Sequence, residues 1–345
     1  MKSLHDAESV PLRGGPVLRW GILAPGVIAT KFVRSLKRHT DQEVTAVGSR
    51  SRERAERFGH RFSIPRAYAS YEAVLADSDV DIVYIASPHS HHKTMAVASL
   101  EAGKHVLVEK PVATSALEAQ AISDAARVHN RFAMEAMHTR FHPRTSVLQR
   151  LLEDGELGKV QLVTADLGAV FPLDPTNRIH DPALGGGALL DIGVYSVWFA
   201  VFVMGSPTHV QCVGEVTPTG VDGQSVTVLT NESGQLAVAT CSLYTFGSGE
   251  ASVGGSDGRV LVPSRHPAPG GLTLYDARNE PVAEYVDRSG LVTAEDGLCR
   301  QAVWAARHVS DGLTQSPLHP LSMSVRVLQV LDEARAQLGI VPTPL

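Results

Sequence analysis

The sequence predicts an α/β protein with two domains, one built on a parallel sheet and the other on a large, mostly antiparallel open sheet. In the first half, short apolar segments alternate with helical stretches, as in residues 81–86 followed by 94–102. After residue 160 the chain changes to β-type segments separated by turn signals, as at residues 256–258. A chain of 345 residues is long enough for two hydrophobic cores.

Composition and charge exclude several classes of partner. The chain is 43% hydrophobic and 19% charged, which is ordinary for a globular protein. Its formal net charge is −5 without a long basic stretch, so we expect neither nucleic acid nor an anionic membrane as a partner. We expect no apolar run to reach the ~18–20 residues needed to cross a bilayer.

Two further observations bear on the compartment. Cys212, Cys241 and Cys299 lie far apart without metal-type spacing, which predicts reduced, buried thiols in a cytoplasmic protein. Residues 1–16 are polar and contain Pro and Gly, but they lack the apolar core of a secretory signal. We therefore expect residues 1–16 to form a flexible arm.

The first strand, turn and helix carry a partial dinucleotide-binding pattern. A buried strand over residues 18–23 and a helix over 30–38 flank the turn. In the pattern G-x-G-x-x-G/A, Gly26 fills the position at which backbone approaches the pyrophosphate, and Ala29 fills the last position. The first glycine is replaced by Ala24. The pattern predicts a Rossmann domain over residues 17–141, with a strand–turn–helix that binds no ligand as the alternative. The predicted cofactor contacts in the turn are Ala24, Pro25, Gly26, Val27 and Ile28.

The end of the second strand favours NADP over NAD. In NAD-selective folds, an acidic residue at this position holds the ribose 2′-hydroxyl group. Here the strand 43–48 is followed by Ser49 and Arg50, and Arg54 comes soon after. Arginine donates paired, charge-assisted hydrogen bonds to phosphate oxygens, so these residues suit a 2′-phosphate. NADP is the predicted cofactor and NAD is the alternative; the arginines could instead form the solvated start of a helix over 52–61.

The loop after the strand 81–86 is rich in histidine. Its sequence, residues 87–92, is Ser-Pro-His-Ser-His-His. The histidines lack complementary ligands and a helical i, i+4 pair, so we expect no metal. Ligands of open α/β sheets bind beyond the carboxyl ends of the strands. The predicted cofactor contacts in this loop are therefore Ser87, Pro88, His89 and His92.

The next strand, residues 105–108, ends in Glu109, Lys110 and Pro111. A lysine at a strand end is usually a solvated charge, but here the strand before it is apolar and a ligand cleft is expected at this edge. We expect Glu109 and Lys110 to contact the cofactor, with Lys110 beside the nicotinamide. Pro111 is a candidate for a cis peptide bond that would aim the lysine side chain.

An acid and a phenol stand four residues apart in an apolar run. If the run is helical, Asp191 and Tyr195 share one face, one turn apart. The glycines at 185–187 let backbone come close to a ligand or to another element. Such a pair on a cleft wall can move protons; the alternative is a satisfied aspartate and a core tyrosine in a buried helix. Further candidates for the substrate pocket are His138, Arg140, Asn177, Arg178 and His180.

The second domain is predicted over residues 142–345. A loop over 171–187 and a helix that begins near residue 189 interrupt its sheet, and two helices end the chain. Such a sheet usually packs helices on one face, and its other face is solvated or used for assembly. The β-type segments are residues 160–170, 209–216, 225–231, 235–243, 250–254, 259–263 and 272–275.

Three motifs together resemble one family. The turn with Gly26 and Ala29, the strand end 109–111 and the run 186–195 are similar to those of the glucose–fructose oxidoreductase, inositol dehydrogenase and MocA (Gfo/Idh/MocA) family. Within it, the Asp-Ile-Gly-x-Tyr motif resembles the branch of dimeric dihydrodiol dehydrogenase and NADP-dependent xylose dehydrogenase. Inositol dehydrogenases carry histidine in place of this tyrosine. The segments 134–141 and 178–187 strengthen the assignment to this branch.

The resemblance implies reversible oxidation of a secondary alcohol or hemiacetal on a sugar or cyclic diol, with subunits paired through the C-terminal sheet as a homodimer or homotetramer. It gives catalytic roles to Lys110, Asp191 and Tyr195, with Tyr195 transferring the proton. A free phenol titrates near pH ~10, and a neighbouring ammonium group lowers that value. Two residues depart from the family pattern. Many members have Gly where this chain has Ala24, which bears on cofactor affinity. The branch often has Trp where this chain has His138, which bears on the substrate pocket.

Two alternative functions stay open on this basis. One is a non-catalytic regulator of the same fold that senses a dinucleotide or a sugar. The combination of Lys110, Asp191 and Tyr195 argues against it, since a sensor does not need these residues together. The other is an oxidoreductase that holds NADP tightly and shuttles hydride between two sugars.

Overall fold

The computed structural model describes residues 4, 7–263 and 265–340 of the chain. The chain divides into two compact units. The first, called here the parallel-sheet unit, comprises residues 10–141 and 293–325. The second, called the open-sheet unit, comprises residues 142–292 and 326–345 together with the first nine residues.

The parallel-sheet unit has the predicted Rossmann architecture. Among the residues described, six parallel strands lie in the order β3-β2-β1-β4-β5-β6. The strand order reverses between β1 and β4, where this fold binds dinucleotides. The strands are β1 (Arg19–Leu23), β2 (Glu43–Gly48), β3 (Arg66–Tyr68), β4 (Ile82–Ile85), β5 (His105–Val108) and β6 (Ala133–Glu135). The helices are α1 (Val27–His39), α2 (Arg52–Phe62), α3 (Tyr71–Leu75), α4 (His92–Glu101), α5 (Ala116–Val128) and α8 (Ala294–Ser310).

Apolar residues on the strands and on one side of α1 build the core of this unit. The four residues of β4 are buried, as expected of a central strand covered on both faces. Phe32 on α1 stacks on Tyr84 of β4, with 3.8 Å between ring centroids. Ser115 caps α5 as predicted, because its side chain accepts a hydrogen bond from the Glu118 N–H.

Residues 293–325 belong to the parallel-sheet unit, whereas the predicted boundaries assigned them to the second domain. The reason is a tertiary contact that the sequence does not reveal: α8 packs on α1. Ser35 Oγ lies 2.9 Å from the Asp296 carbonyl and 3.0 Å from the Cys299 N–H. Arg34 also forms an ion pair with Glu295, so α8 is bonded to α1 at several points.

The open-sheet unit contains the predicted large, mostly antiparallel sheet. Within the described ranges its eight strands lie in the order β14-β13-β12-β11-β7-β10-β9-β8, and of these neighbours only β7 and β10 are parallel. The strands are β7 (Val160–Gly168), β8 (His209–Val216), β9 (Asp222–Thr230), β10 (Leu236–Ser242), β11 (Ala251–Gly255), β12 (Gly258–Val262), β13 (Leu272–Asp276) and β14 (Pro281–Tyr285). The helices are α6 (Pro143–Glu153) and α7 (Val194–Met204), and α9 (Leu321–Gln337) begins in the other unit.

One helical stretch is longer and more apolar than the sequence analysis expected. Among the residues described, Pro182–Met204 has the length and composition of a membrane-crossing helix, because the turns before α7 extend its apolar run. However, 78% of its most apolar part is buried inside the protein. This burial is typical of a core helix.

Part of the predicted flexible arm is held in place. Residues 1–3, 5 and 6 of the arm lie outside the described residues. Arg13 Nη1 donates to Asp41 Oδ1 at 2.7 Å, and the Gly14 N–H donates to Asp41 Oδ2 at 2.8 Å. Residues 13 and 14 are therefore bonded to the parallel-sheet unit, because the carboxylate of Asp41 accepts from both.

Candidate active site

The turn between β1 and α1 leaves the start of the helix accessible. Gly26 precedes α1 without a side-chain cap, and an added Cβ at Gly26 would meet only the Ala24 carbonyl oxygen, at 3.9 Å. Val27 in the first turn is exposed, and Pro25 and Ile28 flank these two residues. Uncapped N–H groups and open space are what a pyrophosphate needs at a helix N-terminus, so this turn fits a dinucleotide.

Ala24 shows why the missing glycine is tolerated. Its φ angle is 64°, in the left-handed region that glycine adopts most readily. The Ala24 N–H donates to the Gly48 carbonyl oxygen at 3.2 Å, and the Gly26 N–H donates to the Ala24 carbonyl oxygen at 2.8 Å. The chain therefore keeps the tight turn of the pattern, because these bonds support the conformation that the first glycine normally provides.

The end of β2 presents basic groups and no acid. Ser49 is buried, and its Oγ accepts a hydrogen bond from the Ser51 N–H at 3.2 Å. Arg50 is exposed and bonds the hydroxyl of Tyr71; the pKa of Tyr71 is raised because burial outweighs this bond. Neither Arg50 nor Arg54 forms an ion pair with a described residue, although other arginines of α2 do. Both guanidinium groups can therefore pair with an external anion.

The loop after β4 contains hydroxyl groups that need a partner. In the described part of the chain, the Oγ atoms of Ser87 and Ser90 are buried and have no hydrogen-bond partner. Pro88 lies between Ser87 and His89, and His89 is buried against His92, with 5.7 Å between ring centroids. Buried hydroxyls are normally satisfied, so a polar group of a bound cofactor would complete this loop.

The structure gives His92 a role inside the protein. Its side chain is 0% exposed, and its ring nitrogens face two backbone carbonyl groups. Nδ1 lies 2.8 Å from the Pro111 oxygen and Nε2 lies 2.9 Å from the Ser87 oxygen. Burial lowers the pKa of His92, so the ring is neutral near pH 7 and donates one proton. His92 therefore lies between the Ser87 and Pro111 carbonyl groups and donates to the one that faces its N–H, although the sequence suggested a cofactor contact.

Lys110 stands on a turn whose backbone is bonded to buried side chains. The bond between Lys110 and Pro111 is cis, as predicted. The Lys110 N–H donates to Glu109 Oε2 at 3.2 Å, and the Tyr84 hydroxyl donates to Glu109 Oε1. Burial raises the pKa of Glu109 and outweighs these bonds. Glu109 was predicted to bind the cofactor, but its carboxyl group is buried and engaged by Tyr84 and Lys110.

The short helical turn His138–Phe141 holds two residues that were predicted to bind substrate. His138 and Arg140 are both buried there. Arg140 Nε donates to the Leu318 carbonyl oxygen at 2.7 Å, so this side chain supports the segment that follows α8. The bond lies within the parallel-sheet unit and joins residues 178 positions apart in the sequence.

In the open-sheet unit, Asp191 pairs with Arg178. Arg178 Nη2 lies 3.0 Å from Asp191 Oδ1, and the Asp191 side chain is 11% exposed. Asp191 lies in the π-helical turn Leu189–Gly193, and Tyr195 lies in the first turn of α7. The run is helical, as the prediction assumed, but Asp191 stands in a π-helical turn, which carries i→i+5 bonds. Such turns are frequent at functional sites.

The other loop candidates have partners within the open-sheet unit. Asn177 Oδ1 accepts a hydrogen bond from the Ile179 N–H at 3.1 Å. His180 is buried, and its Nε2 lies 3.1 Å from the Pro172 carbonyl oxygen. These contacts support the conformation of the loop that carries Arg178.

Two of the three glycines at 185–187 allow close contact with other parts of their own unit. A Cβ at Gly186 would lie 2.5 Å from the Ile179 carbonyl oxygen, and one at Gly187 would lie 2.3 Å from Asp222 Oδ1. Asp222 is buried and accepts a hydrogen bond from the Leu189 N–H at 2.5 Å. Burial raises the pKa of Asp222 to about 6, although the helix N–H groups oppose the shift. Gly187 thus lets Asp222 bind the start of the helix that carries Asp191.

Two family models match the chain. One, described as "Oxidoreductase family, NAD-binding Rossmann fold", matches residues 18–137, and the other, "GFO/IDH/MocA C-terminal domain", matches residues 146–261. The chain belongs to the Gfo/Idh/MocA family. This Gfo/Idh/MocA protein is therefore an NAD(P)-binding oxidoreductase, which confirms the family, the fold and the enzyme class predicted from its motifs.

Relatives of this Gfo/Idh/MocA protein match over nearly their whole length. It is 36% identical over 329 residues to trans-1,2-dihydrobenzene-1,2-diol dehydrogenase of Danio rerio, covering 94% of this chain and 98% of the relative. It is 35% identical over 328 residues to the Homo sapiens protein of the same name, covering 94% and 97%.

Two solved structures have similar folds. The 3-ketoreductase KijD10 from Actinomadura kijaniata, in complex with NADP and TDP-benzene, is 27% identical with a TM-score of 0.78, covering 93% of this chain and 97% of that chain. Levoglucosan dehydrogenase in complex with NADH and levoglucosan has a TM-score of 0.84 at 18% identity, covering 94% and 97%. The second likeness bears on the fold alone.

Several residues that shape the candidate site were not predicted from the sequence. Tyr71 bonds Arg50, Ser90 has an unpartnered buried hydroxyl, and Asp222 binds the helix that carries Asp191. Glu135 accepts a hydrogen bond from the Val112 N–H at 3.0 Å. Of these residues, only Glu135 could have been identified from the sequence. It is an acid within the apolar run 132–137, and a buried acid must be paired.

Proposed function

We propose that this protein is an NADP-dependent dehydrogenase or reductase that interconverts a secondary alcohol, or hemiacetal, and a carbonyl on a cyclic diol or sugar-like substrate. The observation that carries the proposal is the similarity, at 34–36% identity over 94% of the chain, to proteins named trans-1,2-dihydrobenzene-1,2-diol dehydrogenase. The likeness to a 3-ketoreductase in complex with NADP supports the same class of chemistry.

In this proposal, the catalytic residues that the protein itself supplies are Lys110, Asp191 and Tyr195. A bound nicotinamide supplies or accepts the hydride. Tyr195 takes the proton of the substrate hydroxyl during oxidation and returns it during reduction. A free phenol has a pKa of about 10, and a positive charge favours the phenolate; Lys110 is the cationic member of the proposed catalytic set. Asp191, which is paired with Arg178, orients the substrate hydroxyl.

The proposed preference for NADP rests on the end of β2. Arg50 and Arg54 have no carboxylate partner among the described residues, and the strand is followed by Ser49 and Arg50 where NAD-selective folds have an acid. A 2′-phosphate would accept charge-assisted hydrogen bonds from Arg50, next to the hydroxyl of Tyr71. Ser49 is buried at the same strand end.

The function is tested by incubating the protein with NADP⁺ or NAD⁺ and a panel of dihydrodiols, aldoses and nucleotide sugars, while following NADPH or NADH absorbance. We expect turnover with at least one cyclic diol or sugar, and a higher kcat/KM for NADP⁺ than for NAD⁺. The absence of turnover with every member in both directions would contradict the proposal. Cofactor that co-purifies and turns over only when a second sugar is added would instead favour hydride shuttling between sugars.

A matched pair of variants tests the cofactor preference. Arg50→Gln removes the guanidinium, so we expect KM for NADP⁺ to rise about 10–100-fold and KM for NAD⁺ to change little, since charge-assisted bonds contribute about 1.5–3 kcal/mol. Arg57→Gln is the control, because Arg57 lies on α2, which begins two residues after Arg50, and pairs with Glu53. An equal effect of both variants would contradict the assignment of Arg50.

We also propose that subunits pair through the open face of the large sheet. Val213 is 70% exposed, and Val226, Leu162 and Leu236 on the same face are also exposed. Leu236 lies opposite Leu162, and Val213 lies opposite Val226, so these side chains form two exposed apolar pairs. Exposed apolar pairs of this kind favour assembly into a homodimer or homotetramer.

Sedimentation velocity tests this interface. Leu236→Glu is expected to convert the oligomer to monomers, because the charge would have to be buried without a partner. Val128→Glu is the control, since Val128 is exposed at the end of α5 in the parallel-sheet unit. The interface is assigned wrongly if Leu236→Glu leaves the sedimentation coefficient unchanged.

We propose a cytoplasmic location for the protein. Cys212, Cys241 and Cys299 are buried, and no disulfide joins them in the described structure. Reduced thiols of this kind are typical of cytosolic proteins.

A further inference from the structure

The peptide group that follows the cis bond at Lys110 is bonded at both of its ends to buried side chains. Its N–H, on Val112, donates to Glu135 Oε1 at 3.0 Å. Its carbonyl oxygen, on Pro111, lies 2.8 Å from His92 Nδ1. The orientation of this peptide plane is therefore set by side chains from β6 and α4.

Glu135 is itself held by residues that are distant in the sequence. Its Oε2 accepts from the Ser324 hydroxyl at 2.6 Å and lies 3.0 Å from His319 Nε2. Burial alone would raise the pKa of Glu135, but the hydrogen bonds from His319, Ser324 and the Val112 N–H outweigh it and lower the pKa. The carboxylate is thus charged, fixed in orientation and able to hold the Val112 N–H.

Glu135, His319 and Ser324 form a cluster whose residue types suggest a serine nucleophile, but its geometry does not support one. A serine, a histidine and a glutamate lie together, yet the Ser324 hydroxyl donates directly to the carboxylate. Ser324 and His319 are each 1% exposed, so no substrate reaches them. The bond from Glu135 to Val112 is the contact through which the cluster reaches the Lys110 turn.

We propose that Glu135 is a positioning residue for Lys110: through the Val112 N–H it fixes the turn from which the lysine side chain projects, and His92 fixes the same turn through the Pro111 carbonyl group. The inference rests on the proposed function, because it assumes that Lys110 takes part in the reaction. A buried N–H that loses its acceptor is costly, so the turn would move to satisfy it. Misplacing a reacting group by about 1 Å costs about 100-fold in rate.

The test compares Glu135→Leu with Glu135→Gln. Leu removes the acceptor, whereas Gln keeps a carbonyl oxygen for the Val112 N–H. For Glu135→Leu we expect kcat to fall about 100-fold with little change in the KM for NADP⁺, and hydrogen exchange at the Val112 amide to speed up at least about tenfold. Glu135→Gln is expected to restore most of both quantities.

Lys104→Met is the matched control for stability. Lys104 precedes β5, at the end opposite Lys110, and its Nζ bonds the Asp77 and Val80 carbonyl oxygens. This variant removes a partly buried ion from the same unit, so it should lower stability without changing kcat or the exchange of the Val112 amide. If it reduced kcat as much as Glu135→Leu does, the effect would be general and the proposal would fail.

A double-mutant cycle shows whether Glu135 acts through the lysine. In a Lys110→Ala background, Glu135→Leu should cause no further loss of kcat, because its effect is transmitted by the residue already removed. An additive loss would overturn the proposal, and so would unchanged exchange at Val112 in Glu135→Leu. Should Glu135→Leu not fold, His92→Phe gives the same test from the Pro111 side.

The same experiment separates failure of this inference from failure of the proposed function. If Lys110→Ala turns over as fast as the parent protein, the catalytic role of Lys110 fails, and with it the positioning role. In that case, faster Val112 exchange in Glu135→Leu would assign Glu135 to the stability of the turn alone.

Discussion

Tyr195→Phe is expected to lower kcat by about 10²–10⁴-fold while leaving the Kd for NADPH unchanged. The substitution removes only the hydroxyl, which is the group proposed to exchange a proton with the substrate. The ring keeps its place in the first turn of α7, so the fold should be preserved. Single-turnover kinetics and fluorescence titration with NADPH measure the two quantities separately.

Tyr275→Phe is the control for this prediction. Tyr275 lies on β13 in the same unit, where the Arg259 guanidinium is 3.8 Å from the centre of its ring. This contact involves the ring face and survives loss of the hydroxyl. Full turnover by Tyr195→Phe would show that another group transfers the proton, and the assignment of Tyr195 would be withdrawn.

Gly187→Ala is expected to lower the free energy of unfolding by about 2–5 kcal/mol, which urea denaturation of the purified protein would measure. Gly187 has φ 112°, which L-residues rarely adopt, and a Cβ there would lie 2.3 Å from Asp222 Oδ1. Asp222 cannot move away easily, because it is buried and bonded to the Leu189 N–H. The alanine variant is therefore destabilised both by backbone strain and by the clash of its Cβ with Asp222.

Gly234→Ala isolates the contribution of the backbone. Gly234 has φ 77°, and an added Cβ would meet nothing within 4 Å. We expect this variant to lose only about 1 kcal/mol, from the left-handed conformation. Equal losses in the two variants would show that the contact with Asp222 does not limit what position 187 accepts.

The sequence predicted the features that depend on neighbouring residues. The apolar run of β4, the serine cap of α5 and the glycine-poor turn at Ala24 can all be inferred locally, since strands, caps and turns depend on a few adjacent residues. The cis bond before Pro111 was predictable for the same reason, because only proline commonly forms one.

The features that were missed depend on contacts between distant residues. His319 and Glu135 are 184 positions apart, and no local pattern pairs them. His92 looked like a ligand in a histidine-rich loop, but its buried ring lies between the Ser87 and Pro111 carbonyl groups. The π-helical turn at Asp191 was also not predicted, because an apolar sequence does not show whether a turn will be α-helical or π-helical.

The discontinuity of the parallel-sheet unit has a consequence for synthesis on the ribosome. Strands β1–β6 emerge within the first 141 residues, but α8 and the residues up to 325 belong to the same unit. The bonds from Ser35 to Asp296 and Cys299 cannot form until more than 150 further residues have been translated. The nascent chain must therefore keep the surface of α1 uncovered for most of translation, and a premature stop before residue 293 would leave the nucleotide-binding half unfinished although its motifs were complete.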